Sequence, residues 1–142
     1  MRRRKGAGIM DILVVGGGGR EHAIVRKLKE SPKTGRLYCL PGNGGISRDA
    51  ACAPVGAMDK EGVLRFAQEH KVDFVFVAPD DPMAAGMVDY LEGAGLPCFG
   101  PNAKAAEIES SKVFSKSLMK KYGIPTAAHE VFTEQGPALE YI

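Results

Sequence analysis

Short apolar runs alternate along the first part of the chain with segments in which apolar residues recur every three or four positions. Short runs rich in branched side chains are typical of strands buried on both faces of a parallel sheet, whereas the second pattern is typical of amphipathic helices. Their alternation predicts βαβ units with right-handed crossovers, and therefore an α/β fold with a doubly wound parallel sheet. The predicted strands are residues 11–15, 36–40, 53–55, 73–78 and 96–99, and the predicted helices begin at Arg20, Asp59 and Pro82.

The apolar positions within each helix predict which side chains enter the core. The first helix, residues 20–30, is expected to place Ala23, Ile24 and Leu28 against the sheet. Asp59 is of the residue type that caps a helix amino terminus, which marks the start of the second helix. The stripes expected in the other two helices are Val63, Leu64 and Ala67, and then Met83, Met87, Val88 and Leu91.

The pattern changes after residue 100. Asn102 is expected to cap a short helix, and Ser110 or Ser111 a longer one over residues 112–121. Residues 127–132 predict a new strand, and a further helix is predicted from Pro137 onward. A lone strand and half a helix cannot bury their apolar faces, so the chain is expected to be cut inside a second domain.

Composition limits the classes of partner. The formal charge of the 142 residues is +2, and it comes largely from Arg2, Arg3, Arg4 and Lys5, which predict a solvated tail and no nucleic-acid partner. No stretch approaches the roughly 20 apolar residues of a membrane span, so no membrane partner is predicted. The three cysteines form no CxxC pair, which favours a reducing compartment and a cytoplasmic location over a disulfide framework or a zinc site.

The loop after the first predicted strand carries the strongest candidate site. Parallel sheets bind ligands at the carboxyl ends of their strands, and Gly17, Gly18 and Gly19 can bring bare backbone amides close to an anion there. The helix behind them directs its positive end at the same point, which makes a phosphate the expected ligand. Arg20 and His22 are candidate further donors. The alternative is that the glycines only form a tight turn, with Arg20 and Glu21 solvated.

Two familiar nucleotide loops are disfavoured by what stands around the glycines. Glu21 occupies the position of the third glycine of G-x-G-x-x-G, and the second strand ends in Leu40 and Pro41 where a ribose-binding acid is expected. A nicotinamide dinucleotide is therefore disfavoured. No Lys-Ser or Lys-Thr pair follows the glycines, which excludes a Walker P-loop.

Two further loops belong at the same edge of the predicted sheet. Gly42 and Asn43 can present amides to a sugar or a phosphate, although the same residues are ordinary in turns. Asp80, after Pro79, can accept hydrogen bonds from ligand hydroxyls or an amine. Alternatively, Asp80 or Asp81 caps the helix that begins near Pro82, for which only one of the two is needed.

Four strings in this order carry a family resemblance. They are ILVVGGGGREHA (residues 12–23), PGNGG (41–45), FGP (99–101) and SKVFSK (111–116). Over residues 10–142 the chain resembles the glycinamide ribonucleotide synthetases, also called phosphoribosylamine-glycine ligases. The glycine loop followed by Arg-Glu-His-Ala is a specific signal of this resemblance, whereas the last two strings are shared with other ATP-grasp ligases and are weaker alone.

The resemblance implies a fold and a reaction. Residues 10–110 are implied to be a Rossmann-like domain that faces the phosphoribosyl substrate, residues 111–142 a linker and the truncated start of an ATP-grasp domain, and residues 1–9 are expected to be a disordered extension. In the implied reaction ATP phosphorylates the carboxylate of glycine, and the amine of 5-phosphoribosylamine attacks the acyl phosphate. The products are glycinamide ribonucleotide, ADP and phosphate, as in de novo purine biosynthesis.

The resemblance also implies the site. Lys112 matches a contact to an ATP phosphate, while the magnesium ligands are expected beyond residue 142, so no catalytic residue or metal ligand is predicted within the chain. Ala78, Pro79 and Asp80 stand where the family has Gly-Pro-Glu, which keeps an acid but shortens its reach. The predicted substrate-binding residues are Gly17, Gly18, Gly19, Arg20, Glu21, His22, Gly42, Asn43, Pro79 and Asp80.

Three functional hypotheses follow. The first is the substrate-facing part of a ligase that acts on phosphoribosylamine, glycine and ATP, is monomeric at full length and is inactive as this fragment. The second is a stand-alone module that binds a sugar phosphate or nucleotide without turnover. The third is a nicotinamide-dependent oxidoreductase domain, which the missing glycine and acid disfavour.

Overall fold

A computed structural model describes residues 8–142 of the chain. Residues 1–7 of the predicted amino-terminal extension lie outside the described residues. The strands are β1 (Met10–Gly16), β2 (Thr34–Pro41), β3 (Ala51–Cys52), β4 (Phe74–Val77) and β5 (Cys98–Phe99). The α-helices are α1 (Gly19–Lys29), α2 (Lys60–His70), α3 (Asp80–Ala84), α4 (Met87–Gly93), α5 (Ala103–Ser110), α6 (Lys112–Lys121) and α7 (Gln135–Tyr141).

The five strands form one parallel sheet in the order β3-β2-β1-β4-β5. The chain moves from β1 outward to β3, then returns to the other side of β1 to form β4. Adjacent crossovers therefore diverge at β1 and β4, which is where sheets of this kind bind ligands. The predicted doubly wound parallel sheet is confirmed.

The central strand β1 is buried on both faces. Leu13 and Val15 belong to the apolar cluster that includes side chains of α2 and α4, whereas Ile12 and Val14 belong to the cluster that includes Val25 of α1. Burying a side chain of this size contributes about 2 kcal/mol. A strand sealed on both sides cannot shift without exposing one of the clusters, so the loop at its carboxyl end rests on a rigid support.

Two predictions about the helices were wrong in detail. The third predicted helix is two, since α3 and α4 are separated at Gly86, whose φ is +82°. A glycine in this left-handed region stops a helix at no steric cost. In α1 the fully buried residue is Val25, and Ala23 is exposed, because Val25 lies one helical turn after the buried Glu21.

Two predictions about strands also failed. β3 lies at residues 51–52 and not at 53–55, because its pairing partners Tyr38 and Cys39 of β2 set its register. Residues 127–132 contain no strand. Within residues 8–142 they pair with no other strand, and without a ladder the strand propensity of a short segment is not realised.

The chain divides into two compact units, residues up to Ala106 and residues 107–142. In the second unit Ser111 caps α6 by accepting from the N–H of Phe114 at 3.2 Å, and Lys116 Nζ donates to Thr126 Oγ1 at 2.6 Å. Neither α6 nor α7 buries a residue. The predicted domain boundary after residue 110 stays a prediction. Among residues 8–142, no helix is long and apolar enough to cross a bilayer.

The buried carboxylate of Asp11 links the amino-terminal parts of neighbouring strands, at the end of the sheet opposite the candidate site. Asp11 is 2% exposed, its Oδ1 accepts from the backbone N–H of Arg36 at 2.8 Å, and its Oδ2 lies 2.9 Å from Arg36 Nη2. The backbone N–H of Asp11 donates to Asp73 Oδ2 at 2.7 Å. This role of Asp11 was not predicted from the sequence, because a single acid at the start of a strand has no local signature.

Asp11→Ala is expected to lower the free energy of unfolding by about 2 kcal/mol, since it leaves donors of Arg36 without their buried acceptor. Urea denaturation measures the change. Glu69→Ala on the exposed face of α2 is the control and should shift stability by less than about 0.5 kcal/mol. Equal effects of the two substitutions on stability would contradict a stabilising role for the buried Asp11 carboxylate.

Candidate functional site

The candidate site is built on the glycine loop between β1 and α1. Gly16 ends β1 with φ +128°, a conformation that residues with side chains rarely adopt. A Cβ at Gly16 would lie 2.5 Å from Glu21 Cγ and 2.9 Å from Pro79 Cγ. Glycine at this position therefore lets α1 and the loop after β4 close over the end of β1.

The loop after β2 holds the glycine loop from one side. The N–H of Gly42 donates to the carbonyl of Gly16 at 3.1 Å, and Asn43 Nδ2 donates to the carbonyl of Gly17 at 2.7 Å. A Cβ on Gly17 would lie 2.7 Å from the Gly42 carbonyl oxygen. Gly42 and Asn43 thus support the loop that was predicted to bind the ligand.

Glu21 is buried beneath the loop and is not solvated. The residue is 6% exposed, and its Oε2 accepts from the N–H of Gly18 at 2.5 Å. Gly18 is the N-cap of α1 and Glu21 is the third residue of the helix, so the contact is the backward half of a capping box. The expectation that Glu21 is solvated is wrong, whereas the Arg20 side chain is exposed, and the amide of Gly18 is not bare. That the glycines only form a tight turn stays an alternative.

Arg20 reaches from α1 to the loop after β4. Its Nη1 donates to the carbonyl of Ala78 at 3.1 Å and to Asp80 Oδ1 at 3.1 Å. The N-cap position of α3 is occupied by Pro79, and no side chain caps this helix. The alternative in which Asp80 or Asp81 serves as the cap is therefore wrong, and Asp80 pairs with Arg20 instead.

A pocket of about 310 Å³ lies between these two loops. Its position between the ends of β1 and β4 is the one expected for a doubly wound sheet. At Gly19 a Cβ would meet nothing within 4 Å, so this part of the loop faces open space. The helix end contributes positive potential, whereas the carboxylates accept hydrogen bonds. The lining residues are Gly18, Gly19, Arg20, Glu21, Pro79, Asp80 and Asp81.

His22 does not line this pocket and contacts Asp49 instead. Its Nε2 lies 3.3 Å from Asp49 Oδ2, and Lys29 Nζ lies 2.8 Å from Asp49 Oδ1. The hydrogen bond from Lys29, together with the one from His22, lowers the pKa of the Asp49 carboxyl below its usual value. Asp49 was not predicted as a site neighbour, because nothing near it in sequence marks it as a partner of α1. Of the predicted site residues, the pocket brings together Gly18, Gly19, Arg20, Glu21, Pro79 and Asp80, and it leaves out Gly17, His22, Gly42 and Asn43.

Cys39 lies next to the site but is not a nucleophile. Its side chain is buried, and its Sγ donates to the carbonyl of Gly16 at 3.3 Å. Burial raises the pKa of this thiol to about 12, so it stays protonated at neutral pH. Cys39 therefore supports the glycine loop as a buried donor.

The described residues offer no obvious place for a metal ion. Within residues 8–142 no three His, Cys, Asp or Glu side chains lie in an arrangement that could hold one. Lys112, the predicted ATP contact, is exposed at the start of α6 in the unit 107–142. The site as described can bind an anion and accept hydrogen bonds from hydroxyls or an amine.

Comparisons with known proteins agree on a family. The model of the family described as phosphoribosylglycinamide synthetase, N domain, matches residues 10–109. A phosphoribosylamine–glycine ligase of Rhizobium meliloti is 46% identical over 133 residues, which are 94% of this chain and 31% of that protein. One from Listeria monocytogenes serotype 4b is 48% identical over 134 residues, which are 94% of this chain and 32% of that protein. The chain thus spans about a third of the length of these relatives.

Solved structures of other proteins have a similar fold. The phosphoribosylamine–glycine ligase of Thermotoga maritima is 31% identical, with a TM-score of 0.62 over 84% of this chain and 27% of that chain. The N5-carboxyaminoimidazole ribonucleotide synthetase of the same organism has a TM-score of 0.70 over 94% of this chain and 36% of that chain. At 16% identity the second likeness concerns the fold alone.

Proposed function

Because this chain belongs to the phosphoribosylglycinamide synthetase N-domain family, we propose that it forms the substrate-facing part of a ligase that joins glycine to 5-phosphoribosylamine. The observation that carries the proposal is the pocket between the glycine loop and the loop after β4. The pocket combines the amino terminus of an 11-residue helix with acidic side chains. A phosphorylated sugar that bears hydroxyls and an amine presents groups complementary to both.

We place the phosphate of this substrate at the open part of the glycine loop. Gly19 lines the pocket with free space before it, and the first amides of a helix have no partner within that helix. Asp80 and Asp81 are then assigned to the sugar hydroxyls or the amine, because carboxylates accept hydrogen bonds from both. Arg20 joins the two halves of the site, since it lines the pocket and pairs with Asp80.

In the proposed reaction ATP supplies the phosphoryl group that activates the carboxylate of glycine, and Mg²⁺ neutralises the phosphate charge when bound. The carboxylates of residues 8–142 do not form a group that fits this ion. We therefore assign the ion no ligand here, and the contribution of this domain is to hold and orient the phosphoribosylamine. A contact of Lys112 with an ATP phosphate, a cytoplasmic location and a monomeric full-length protein stay predictions.

A domain exchange tests the function directly. We call the chimeric enzyme the exchange ligase: it is the phosphoribosylamine–glycine ligase of Rhizobium meliloti in which this chain replaces the aligned 133 residues. We expect it to restore growth without purines to a strain that lacks phosphoribosylamine–glycine ligase. A second exchange ligase that carries Glu30→Gln, an exposed change at the residue following α1, is the control and should support equal growth. A purified, folded exchange ligase that forms no glycinamide ribonucleotide from phosphoribosylamine, glycine and ATP would contradict the proposal.

The alternative of a stand-alone binding module is favoured by one observation. The sheet, both apolar clusters and the pocket all lie within the unit that ends at Ala106. Such a module would bind ribose 5-phosphate as the isolated chain, while the exchange ligase would be folded and inactive. Growth of the complemented strain therefore decides between the two hypotheses.

A further inference from the structure

We propose that Asn43 and Glu21 form a two-sided clamp on the peptide unit between Gly17 and Gly18, and that both are positioning residues and not ligand contacts. The clamp orients this peptide so that the ligand phosphate is received by the loop from Gly19 onward. The inference rests on the proposed function, because it concerns how the same pocket receives a sugar phosphate.

The clamp is visible in the two polar atoms of one peptide unit. Asn43 Nδ2 donates to the carbonyl oxygen of Gly17 at 2.7 Å. On the other side of the same peptide, the N–H of Gly18 donates to Glu21 Oε2 at 2.5 Å. One partner comes from the loop after β2 and the other from α1, so the peptide is held between two elements of the fold.

The clamp matters because a peptide between two glycines rotates easily. Without side chains at either position, its carbonyl and N–H can exchange directions at little steric cost. A Gly17 carbonyl turned toward the pocket would place a partial negative charge where the phosphate binds. The donor on Asn43 and the acceptor on Glu21 each stabilise the orientation that keeps this oxygen away from the pocket.

Both polar atoms of the Asn43 side chain and one carboxylate oxygen of Glu21 already have partners within the protein. Asn43 Oδ1 accepts from the N–H groups of Gly45 at 2.8 Å and Ile46 at 2.9 Å, while its Nδ2 serves Gly17. Glu21 is 6% exposed, and a carboxylate that faced a phosphate would repel it. Both residues therefore act on the ligand through the peptide that they hold.

Conservative substitutions separate the clamp from a direct contact. Asn43→Asp keeps an oxygen for Gly45 and Ile46 but removes the donor to Gly17. Glu21→Gln keeps one oxygen for Gly18 and replaces the other, charged carboxylate oxygen with an uncharged NH2 group. In the complete 142-residue chain, titrated calorimetrically with ribose 5-phosphate, Asn43→Asp and Glu21→Ala are each expected to weaken binding about tenfold. Glu21→Gln should stay within about twofold of the wild type. Asn102→Asp, at an exposed helix cap, and Glu30→Gln are the matched controls and should bind as the wild type does.

Amide NMR supplies a readout that a purely structural role would not produce. The N–H of Gly18 should exchange slowly in the wild type and in Glu21→Gln and rapidly in Glu21→Ala, and ribose 5-phosphate should shift the amide of Gly19 more than that of Gly18. Binding at about 0.05 M and about 0.5 M salt tests whether the new charge in Asn43→Asp acts by repulsion, which salt screens, or by loss of the clamp, which salt does not restore.

Three results would overturn the clamp: equal losses for Glu21→Gln and Glu21→Ala, full recovery of Asn43→Asp at high salt, or a larger ligand shift at Gly18 than at Gly19. Failure of the proposed function gives a different result. In that case the wild-type chain would not bind ribose 5-phosphate, while slow exchange at Gly18 that is kept in Glu21→Gln and lost in Glu21→Ala would still support the clamp.

Discussion

Gly16→Val is expected to lower the free energy of unfolding by about 4 kcal/mol, the largest effect of any single substitution proposed for this protein. Gly16 has φ +128°, which is strained for any residue with a side chain and most of all for a β-branched one. The new Cβ would lie 2.5 Å from the buried Glu21 and 2.9 Å from the rigid ring of Pro79. Relieving these contacts requires Glu21 and Pro79, which both line the pocket, to shift. Urea denaturation of the complete chain measures the loss.

Gly19→Ala is the matched control for this prediction. Gly19 lies in the same loop, but a Cβ there would meet nothing within 4 Å, and its φ is not in the left-handed region. We expect a change in stability of less than about 0.5 kcal/mol. A Gly16 variant as stable as Gly19→Ala would mean that the backbone at the end of β1 is not confined as described.

Arg20→Ala is expected to raise the KM of the exchange ligase for phosphoribosylamine about 100-fold, while the KM for ATP changes less than about twofold. The guanidinium lines the pocket and pairs with Asp80, so its removal eliminates a charged donor and leaves the carboxylate of Asp80 without its partner. Steady-state kinetics with each substrate varied in turn measure both constants. Arg20→Lys should recover only part of the loss, since lysine lacks the planar fork of donors.

Arg26→Ala provides the comparison for Arg20. Arg26 is an exposed residue of the same helix that does not line the pocket between the two loops, so both KM values should stay near those of the parent. If Arg20→Ala raised the two KM values equally, the guanidinium would have a general structural role and no specific role in binding phosphoribosylamine.

The structure explains why Glu21 stands where the dinucleotide-binding motif has its third glycine. In G-x-G-x-x-G the third glycine allows the helix to pack closely on the strand. Here Glu21 stands at that position, packs on Gly16 and bonds back to Gly18. The buried carboxylate takes the Gly18 amide that a diphosphate would approach, and the exclusion of a nicotinamide dinucleotide stays a prediction.

Most of the fold was predictable because its determinants are local. The strand of residues 11–15 carries a run of apolar residues that only a doubly covered sheet buries, and Asp59 caps α2 through the N–H of Gly62 as its position predicted. The failures came where local preference is weak against context. Residues 127–132 have strand propensity but no partner among the described residues, and Gly86 ends a helix that periodicity alone would continue.

The sequence by itself determined the order of strands and helices, the parallel sheet and the place of the glycine loop at its carboxyl edge, because apolar periodicity and helix caps act over a few residues. Only the tertiary structure decided what the polar residues of that loop do. Asn43 holds Gly17 from 26 positions away, and Arg20 pairs with Asp80 from 60 positions away. The residue type alone does not show whether a polar side chain binds a ligand or supports a neighbouring loop. Its role depends on which distant atoms the folded sheet brings within hydrogen-bonding distance.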